Sequence, residues 1–304
     1  MPSSANAEPD IDDVQARVDR LYHEAEQASE RYNDARLELD ALKRDLGLLR
    51  ADEGRQDRRL ESVRTQVQDA VVRQYEGQTM DAVGQVVVSD DPTKFLSQLA
   101  TMSAFNDMQD QLFSDYSTEL KSLDIRSDAT AKRTEQVAAV EERLAEEKAT
   151  AEEKLAEAEA LLDDLKTEER EEIASRGSTT RLPSDVPVSG RAAAAVQYAM
   201  AQVGDSYVYG AAGPSAFDCS GLTMMAWAQA GVGLPHSSSA QYSSGPRVAF
   251  SDLQPGDLVF YYSPISHVGI YIGNGLIAHA ANPGTGVAVA GVNSMPYTGA
   301  VRPG

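Results

Sequence analysis

Apolar and small side chains recur at steps of three and four residues from residue 11 to residue 70, with two polar positions in the frame. This spacing is typical of helices that pack side by side, because one helical turn contains 3.6 residues. Charged residues fill the other positions, as a solvated face requires. A second pattern of this kind begins after Pro92 and continues to about residue 173. Two long helices with one break predict an antiparallel coiled-coil hairpin over 11–176, although an intermolecular coiled coil stays open.

The charge of the chain is concentrated in its first part. Residues 1–182 hold 24 of the 27 Lys and Arg and 42 of the 47 Asp and Glu, a net charge of −18. Residues 183–304 hold 3 basic and 5 acidic residues, a net charge of −2. The total of −20 argues against nucleic acid or an anionic lipid surface as the partner. No stretch of about 18 apolar residues exists, so the sequence predicts no transmembrane segment.

Three further segments are set apart by composition. Residues 1–10 read as a disordered tail, and Ala5-Asn6-Ala7 has the small-x-small form that ends a signal peptide, which indicates a secreted protein. Residues 177–190 are rich in Ser, Thr, Pro and Gly and read as a linker.

Gly and Pro between 77 and 92 predict the hairpin tip. Apolar side chains near the tip would form a docking surface or simply close the hairpin: Val86, Val87, Val88, Phe95, Phe105 and Met108.

The single cysteine, Cys219, stands at the start of a predicted helix. A Gly- and Pro-rich stretch, 210–214, precedes it, and the apolar run 222–230 follows and ends at Gly231. Unpaired N–H groups and the helix dipole at such an N-terminus favour the thiolate over the thiol. A lone cysteine in a chain with histidines on other segments indicates a cysteine nucleophile.

Two of the four histidines, His267 and His279, lie on strand-like runs that the hairpin signal Gly273-Asn274-Gly275 separates. They are twelve residues apart, so an odd-length loop places them on one sheet face, and a three-residue loop at 272–274 places them directly opposite. An even loop would need a bulge to restore this arrangement. If the Cys219 helix packs on that face, His267 takes the thiol proton and His279 orients the imidazole of His267.

Residues 191–304 resemble the NlpC/P60 family of papain-like cysteine peptidases, which cut cell-wall peptides. Six segments carry the resemblance: Tyr207-Val208-Tyr209-Gly210, Asp218-Cys219-Ser220-Gly221-Leu222, Pro235-His236-Ser237-Ser238, Pro255-Gly256-Asp257-Leu258-Val259-Phe260, His267-Val268-Gly269-Ile270-Tyr271 and Ala278-His279-Ala280. The resemblance implies an α+β chain in which the helical hairpin precedes a papain-like domain with helices packed on a small antiparallel sheet. It also implies that Cys219 is the nucleophile, His267 the base, His279 the third polar residue and Tyr207 the active-site tyrosine. Ala211-Ala212 departs from the family, where a second Gly is common.

The order of a coiled coil and then this domain resembles actinobacterial hydrolases of the Rip type. This resemblance implies a secreted or extracytoplasmic enzyme of cell division that cleaves peptidoglycan stem peptides between D-glutamate and meso-diaminopimelate. It implies that the extracellular region of the FtsEX division complex is a partner of the coiled coil. The coiled coil would regulate or recruit the enzyme. The expected acyl transfer through a thioester needs no cofactor. The alternative is a coiled-coil scaffold or cell-wall binding protein whose hydrolase domain is inactive or autoinhibited, with the coiled coil or residues 177–190 over the Cys219 cleft.

Other polar residues of the second half have a functional and a structural interpretation. Asp218 would bind a substrate amine or fix the turn before the helix. His236, with Ser237, would contact substrate or only cap a loop. Ser220 is expected to matter through its position at the helix start and not through its hydroxyl. No metal site is predicted, because a fourth ligand at metal spacing is absent. The remaining histidine, His23, lies off the apolar stripe of the first helix and is expected to be solvated.

Overall fold

The structure is a computed structural model that describes residues 11–75, 92–163 and 190–304. Two long helices come first, α1 (Ile11–Tyr75) and α2 (Pro92–Asp163). The predicted tail, the predicted tip from residue 77 to 91 and the predicted linker up to residue 189 lie outside the described residues. Of the predicted docking surface, Val86, Val87 and Val88 and the side chains of Phe95 and Phe105 also lie outside them, whereas Met108 is described and is 62% exposed.

The described chain divides into two compact units, and the first contains α1 up to Leu39 and everything from Val140 onward. In this unit the two helices run antiparallel, because higher positions on α1 meet lower positions on α2. Glu24 pairs with Lys154 across 3.8 Å, and Arg31 Nε pairs with Glu147 across 2.8 Å. The predicted stripe forms the contact, with a buried apolar cluster of Val14, Val18, Leu21, Tyr22 and Ala158.

The second unit, Asp40–Ala139, also contains one segment of each helix, and these segments run antiparallel to each other. Arg133 pairs with Asp45 across 3.6 Å, and Arg126 Nε pairs with Asp52 across 2.6 Å. The polar position Gln56 falls in the predicted stripe and is buried, with its amide donating to the carbonyl oxygen of Glu119 at 3.2 Å. Each unit therefore confirms the predicted antiparallel pairing of two helices within one chain.

The residues after the predicted linker form three helices and two sheets. The helices are α3 (Arg191–Ala201), α4 (Cys219–Gln229) and the one-turn α5 (Ser238–Gln241). Two short parallel strands, β1 (Ser206–Tyr207) and β2 (Ala216–Phe217), form the smaller sheet. The larger, antiparallel sheet has the order β3-β8-β4-β5-β6-β7. Its strands are β3 (Arg247–Val248), β4 (Leu258–Tyr261), β5 (His267–Gly273), β6 (Leu276–Asn282), β7 (Gly286–Gly291) and β8 (Tyr297–Val301).

The core of this domain lies between the large sheet and the helices α3 and α4. Buried Ala and Val side chains of α3 and the buried Trp227 of α4 meet β4 and β5, where Phe260 and Ile270 are fully buried. The Trp227 indole N–H donates to the carbonyl oxygen of Gly256 at 3.2 Å, which satisfies its polar edge inside the core. This arrangement confirms the predicted α+β class, in which helices pack on a small antiparallel sheet after a long helical pair.

The β5–β6 hairpin turns at Asn274 and Gly275, which both have positive φ, as a two-residue type I′ turn requires. The loop therefore has an even number of residues, which alone would place His267 and His279 on opposite faces of the sheet. A register shift between Tyr271 and Gly273 returns them to the same face. Ile270 pairs with Ala278, so His267 and His279 are diagonal neighbours on one face and do not stand directly opposite. The predicted hairpin is confirmed. Of the two alternatives, the structure has the even loop with a bulge.

Within the described ranges, none of the helices carries an apolar stretch long enough to cross a membrane.

Candidate active site

The thiol lies at the point where the small sheet meets α4. Cys219 is the first residue of α4, and Asp218 is its N-cap, with Oδ1 accepting the Gly221 N–H at 2.6 Å. Asp218 Oδ2 also accepts the Gly210 N–H at 2.9 Å, which ties the preceding glycine-rich loop to the helix. Asp218 therefore fixes the turn that places the thiol, which is the structural one of its two predicted roles.

The two predicted catalytic histidines are in direct contact. His267 Nε2 and His279 Nδ1 are 2.7 Å apart, with the rings nearly perpendicular. A ring nitrogen of His267 lies within 4.8 Å of the Cys219 sulfur. Gly269 faces His279 across the strand pair, and a Cβ at Gly269 would come within 3.2 Å of the His279 Cβ, so the glycine leaves room for that ring. The structure thus brings together the thiol, the predicted base and the predicted orienting residue.

A carboxyl group of α1 reaches this pair of histidines. Glu26 Oε1 lies 2.6 Å from His267 Nδ1, and the Tyr207 hydroxyl donates to the same oxygen at 3.5 Å. Because His279 engages Nε2 of His267, Nδ1 is the nitrogen that would receive the thiol proton if His267 is the base, as predicted. Glu26 therefore occupies the proton-accepting position, and Cys219 has no exposed surface. The candidate site is closed as well as assembled.

One helical turn further along α1, Glu30 binds at the start of α4 and at α5. Its carboxylate accepts the Ser220 hydroxyl at 2.7 Å and the Ser238 N–H and hydroxyl at 2.5 and 2.6 Å. Glu30 Oε1 is also 3.7 Å from the Cys219 sulfur. The buried hydroxyl of Ser220 thus donates to this carboxylate, while the expectation that Ser220 matters through its position and not through its hydroxyl stays a prediction.

Asp34 and Asn33 extend the contact by another turn. Asp34 Oδ1 accepts the hydroxyls of Ser237 and Ser239, the latter at 2.7 Å. The Asn33 amide donates to Asp218 Oδ2 at 3.3 Å. Ser237 also caps α5, accepting the Ala240 N–H at 3.1 Å. Acidic side chains of the same chain therefore bind the serine-rich segment, for which the sequence leaves open a substrate contact or a loop cap.

His236 pairs with Asp218 and does not face open solvent. Its Nε2 lies 2.8 and 2.9 Å from the two carboxylate oxygens of Asp218. Burial lowers the pKa of His236, but the hydrogen bond and charge of Asp218 outweigh this effect and raise the pKa above its usual value. His236 therefore supports the N-cap of α4 in this form of the molecule.

Burial sets the protonation of the site. It raises the pKa of Cys219 well above its ordinary value, and the carboxylates of Glu30 and Glu26 add to that rise. It lowers the pKa of His267 to about 3. It also raises the pKa of Glu26 well above the ordinary carboxyl value. The sequence predicts a thiolate at the helix N-terminus, but in this closed form desolvation and the carboxylates favour a neutral thiol beside a neutral imidazole.

Sequence reasoning missed the contribution of α1 to the site. His23 is half-buried, and its ring centroid lies 4.0 Å from that of Tyr262, so the expectation of a solvated histidine is wrong. Glu26, Glu30 and Asp34 recur every four residues, which places acidic groups on one helical face. This four-residue spacing is the sequence signal that could have indicated these residues, but the same spacing is equally typical of a solvated helix face.

Comparisons with known proteins cover the second half of the chain. The profile of the NlpC/P60 family matches residues 204–301. A protein named "Probable endopeptidase" from Corynebacterium glutamicum is 46% identical over 116 residues, which are 38% of this chain and 56% of that protein. A "Probable endopeptidase" of Mycobacterium tuberculosis is 52% identical over 105 residues, 34% of this chain and 27% of that protein.

Solved structures match the same part. The NlpC/p60 domain of the peptidoglycan hydrolase SagA is 37% identical, with a TM-score of 0.35, and the match covers 36% of this chain and 97% of that one. The Resuscitation Promoting Factor Interacting protein RipA, mutated at a cysteine, is 32% identical with a TM-score of 0.35, over 37% of this chain and 61% of that one. This chain thus spans about half or less of the length of the curated relatives. The segment from residue 204 to 301 is a domain of the NlpC/P60 family.

Proposed function

We propose that the chain is a cysteine endopeptidase of peptidoglycan stem peptides that α1 holds in an inactive form. The observation that carries the proposal is the juxtaposition of Cys219 at the start of α4 with the hydrogen-bonded pair His267 and His279. A thiol, a base and an orienting group in this order fit acyl transfer to water. Membership of the domain in the NlpC/P60 family and relatives named endopeptidases support a peptidase.

The reaction follows from this geometry once the cleft is open. His267 takes the proton of Cys219, and the sulfur attacks the amide carbonyl carbon of the substrate. The N–H of Cys219, at the first turn of α4, stabilises the oxyanion. His267 returns the proton to the leaving amine as the C–N bond breaks, and water then hydrolyses the thioester. His279 holds the ring of His267 through the 2.7 Å hydrogen bond.

In the closed form none of these steps can begin. Glu26 holds the nitrogen that must take the thiol proton, and Glu30 and Asp34 occupy the serine-lined surface beside the thiol. Burial under α1 also leaves no path for a substrate to Cys219. The coiled coil would therefore act as a tethered inhibitor, and activation would require that α1 leave the cleft.

The finer assignments follow from the resemblance and are proposed on that basis. The bond is the D-glutamyl–meso-diaminopimelate bond of the stem peptide, and the enzyme acts outside the cytoplasm in cell-wall remodelling or division. The partner that releases or recruits α1 is the extracellular region of FtsEX. No cofactor takes part, since thiol and imidazole groups supply the whole reaction.

The test compares three forms on a stem peptide that contains diaminopimelate: the full chain, residues 183–304, and that fragment with Cys219→Ala. We expect hydrolysis by the fragment, at least tenfold less by the full chain, and none by the Cys219→Ala fragment. Equal hydrolysis by the fragment and the full chain would support the peptidase activity but exclude its inhibition by α1.

The second candidate function is a scaffold or cell-wall binding protein with an inactive domain, and complete burial of the thiol is the observation that favours it. It predicts that the fragment neither cleaves the peptide nor reacts at Cys219 with a small alkylating reagent. Cleavage by the fragment that the Cys219→Ala substitution abolishes would exclude it.

A further inference from the structure

Three buried side chains from three separate elements place donor atoms around one point. Glu26 of α1, Cys219 of α4 and His267 of β5 each offer one such atom, and all three atoms lie within 4.8 Å of one another. A thiolate sulfur, an imidazole nitrogen and a carboxylate oxygen are the donor types that Zn²⁺ binds in proteins. Zinc bonds of about 2.0–2.3 Å place ligand atoms roughly 3–4 Å apart, so the cluster needs only small side-chain shifts.

The orientation of His267 suits a metal ligand. Its Nε2 is engaged by His279 Nδ1 at 2.7 Å, so its Nδ1 faces Glu26 Oε1 at 2.6 Å. An imidazole that binds a metal through one nitrogen and a hydrogen-bonding partner through the other is the usual arrangement at zinc sites. A zinc ion would take the place of the proton that joins Glu26 to His267.

The surroundings favour a cation. Glu30 and Asp218 add carboxylates next to the cluster, and Glu30 Oε1, 3.7 Å from the Cys219 sulfur, is a candidate fourth ligand. Within the described residues, neither Glu26 nor Glu30 forms an ion pair with Lys or Arg. A buried excess of acidic groups is stable only with protons or a cation to compensate it.

We propose that Glu26, Cys219 and His267 form a zinc site that is complete only while α1 covers the cleft, so that Zn²⁺ stabilises the closed form. Binding releases the thiol proton of Cys219 and the carboxyl proton of Glu26 to solvent, and the ion with its two anionic ligands is neutral. No electron transfer is involved. The sequence could not indicate this site, because the second half of the chain supplies two of the ligands and α1 supplies the third. The regulatory consequence rests on the proposed function, whereas metal binding itself does not.

The test uses Co²⁺ as a spectroscopic probe in the full chain. A cobalt–thiolate site produces a charge-transfer absorption band that carboxylate and imidazole ligands alone do not. We expect a saturable band at one equivalent of Co²⁺, its loss on addition of Zn²⁺, and no effect of Mg²⁺. The same chain should unfold at a higher temperature with Zn²⁺ than without it.

Variants separate the site from an accidental thiolate complex. Cys219→Ser should abolish the band, and Glu26→Gln should weaken Co²⁺ binding at least tenfold. Glu24→Gln should change neither, since Glu24 is on the same helix but pairs with Lys154 at the surface. If Glu26→Gln proves unfolded, the Cys219→Ser variant tests the zinc site instead. If the site exists, this variant must lose both the cobalt band and the Zn²⁺-dependent rise in unfolding temperature.

Absence of the band in the unsubstituted chain, or an equal affinity in folded Glu26→Gln, would overturn the zinc site. Its failure is distinguishable from failure of the proposed function. Hydrolysis by residues 183–304 together with no cobalt band would refute only the site, whereas a band that depends on Glu26 together with no hydrolysis by any form would refute only the peptidase.

Discussion

At the scale of single residues, Glu26 lies close to three groups that the proposed reaction needs. Its carboxyl group contacts His267 Nδ1 and the Tyr207 hydroxyl, and it lies within 4.8 Å of the Cys219 sulfur. Burial raises the pKa of Tyr207 well above its ordinary value, with the charge of Glu26 as a further cause. One carboxyl group therefore contacts the proposed base and the tyrosine, and its charge adds to the burial and the Glu30 charge that raise the pKa of Cys219.

His279 should act through His267 and not on the substrate. In residues 183–304, His279→Ala is expected to lower kcat about 10- to 100-fold with little change in KM, because the His267 ring loses the partner that fixes its orientation and tautomer. Steady-state hydrolysis of the stem peptide measures both constants. His279→Gln, which keeps a polar group near His267 Nε2, should recover part of kcat. A raised KM with an unchanged kcat would contradict this role.

The His236–Asp218 pair should make stability depend on pH. Because the folded-state pKa of His236 lies above the usual 6.5, its stabilisation is complete below about pH 6.5 and is lost as the pH rises through the raised pKa. Asp218 and Glu30 raise this pKa, and burial and Arg36 lower it. Thermal unfolding at several pH values should show a larger loss for His236→Gln in acid than in base. An equal loss at every pH would refute the assignment.

At the scale of elements, the close approach of the glycine-rich loop to α4 depends on Gly221. A Cβ at this position would lie 2.2 Å from the carbonyl oxygen of Ala211 and 2.8 Å from Asp218 Oδ1. Backbone cannot yield as a flexible side chain does, so a methyl group would push the loop away from the helix N-terminus.

Gly221→Ala is therefore expected to lower the free energy of unfolding by about 1–3 kcal/mol, the usual cost of overpacking, and to reduce hydrolysis by residues 183–304. Denaturant unfolding and the peptide assay measure the two effects. The matched control is Gly233→Ala, since no heavy atom lies within 4 Å of a Cβ at that position. Similar losses in the two variants would show that the approach to Ala211 is not the cause.

The elements show what sequence patterns can and cannot predict. The stripe of α1, the helix that begins at Cys219 and the β5–β6 hairpin were predictable, because periodicity and turn residues act locally. The sequence left an odd loop and an even loop with a bulge as alternatives, because turn residues do not fix the length of the loop; the structure has the even loop with a register shift between Tyr271 and Gly273. The last two strands were missed, since Gly286–Gly291 and Tyr297–Val301 consist largely of small residues whose burial comes from the sheet around them.

At the scale of the whole molecule, closure of the cleft was not predictable as a structure. Cys219, His267 and His279 follow from motifs within 191–304, whereas Glu26 and Glu30 belong to a helix whose pattern predicts only association with another helix. Their burial results from contacts across more than 180 positions of sequence. Local rules do not report such pairings, so covering by the coiled coil was one hypothesis beside recruitment.

Loosening α1 should expose the thiol. Glu30→Ala in the full chain removes the carboxylate that accepts from Ser220 and Ser238, and alkylation of Cys219 should accelerate about tenfold, or about 1.4 kcal/mol. The gain stays modest because the buried carboxylate also costs desolvation energy. Alkylation followed by mass spectrometry measures the rate. Glu24→Ala, at the surface of the same helix, should leave it unchanged, and an unchanged rate in Glu30→Ala would mean that Glu30 does not hold the cleft closed.

Complete burial of Cys219 also affects how readily its thiol is oxidised. Reactive thiols in contact with solvent are oxidised to sulfenic acid and then irreversibly to sulfinic and sulfonic acids, and the thiolate is the vulnerable form. In the closed form the sulfur has no exposed surface for peroxide to reach, and burial raises the pKa of the thiol, which disfavours the thiolate. With a single cysteine in the chain, no second thiol is present to rescue an oxidised one. Coverage by α1 would therefore also preserve this thiol in its reduced form.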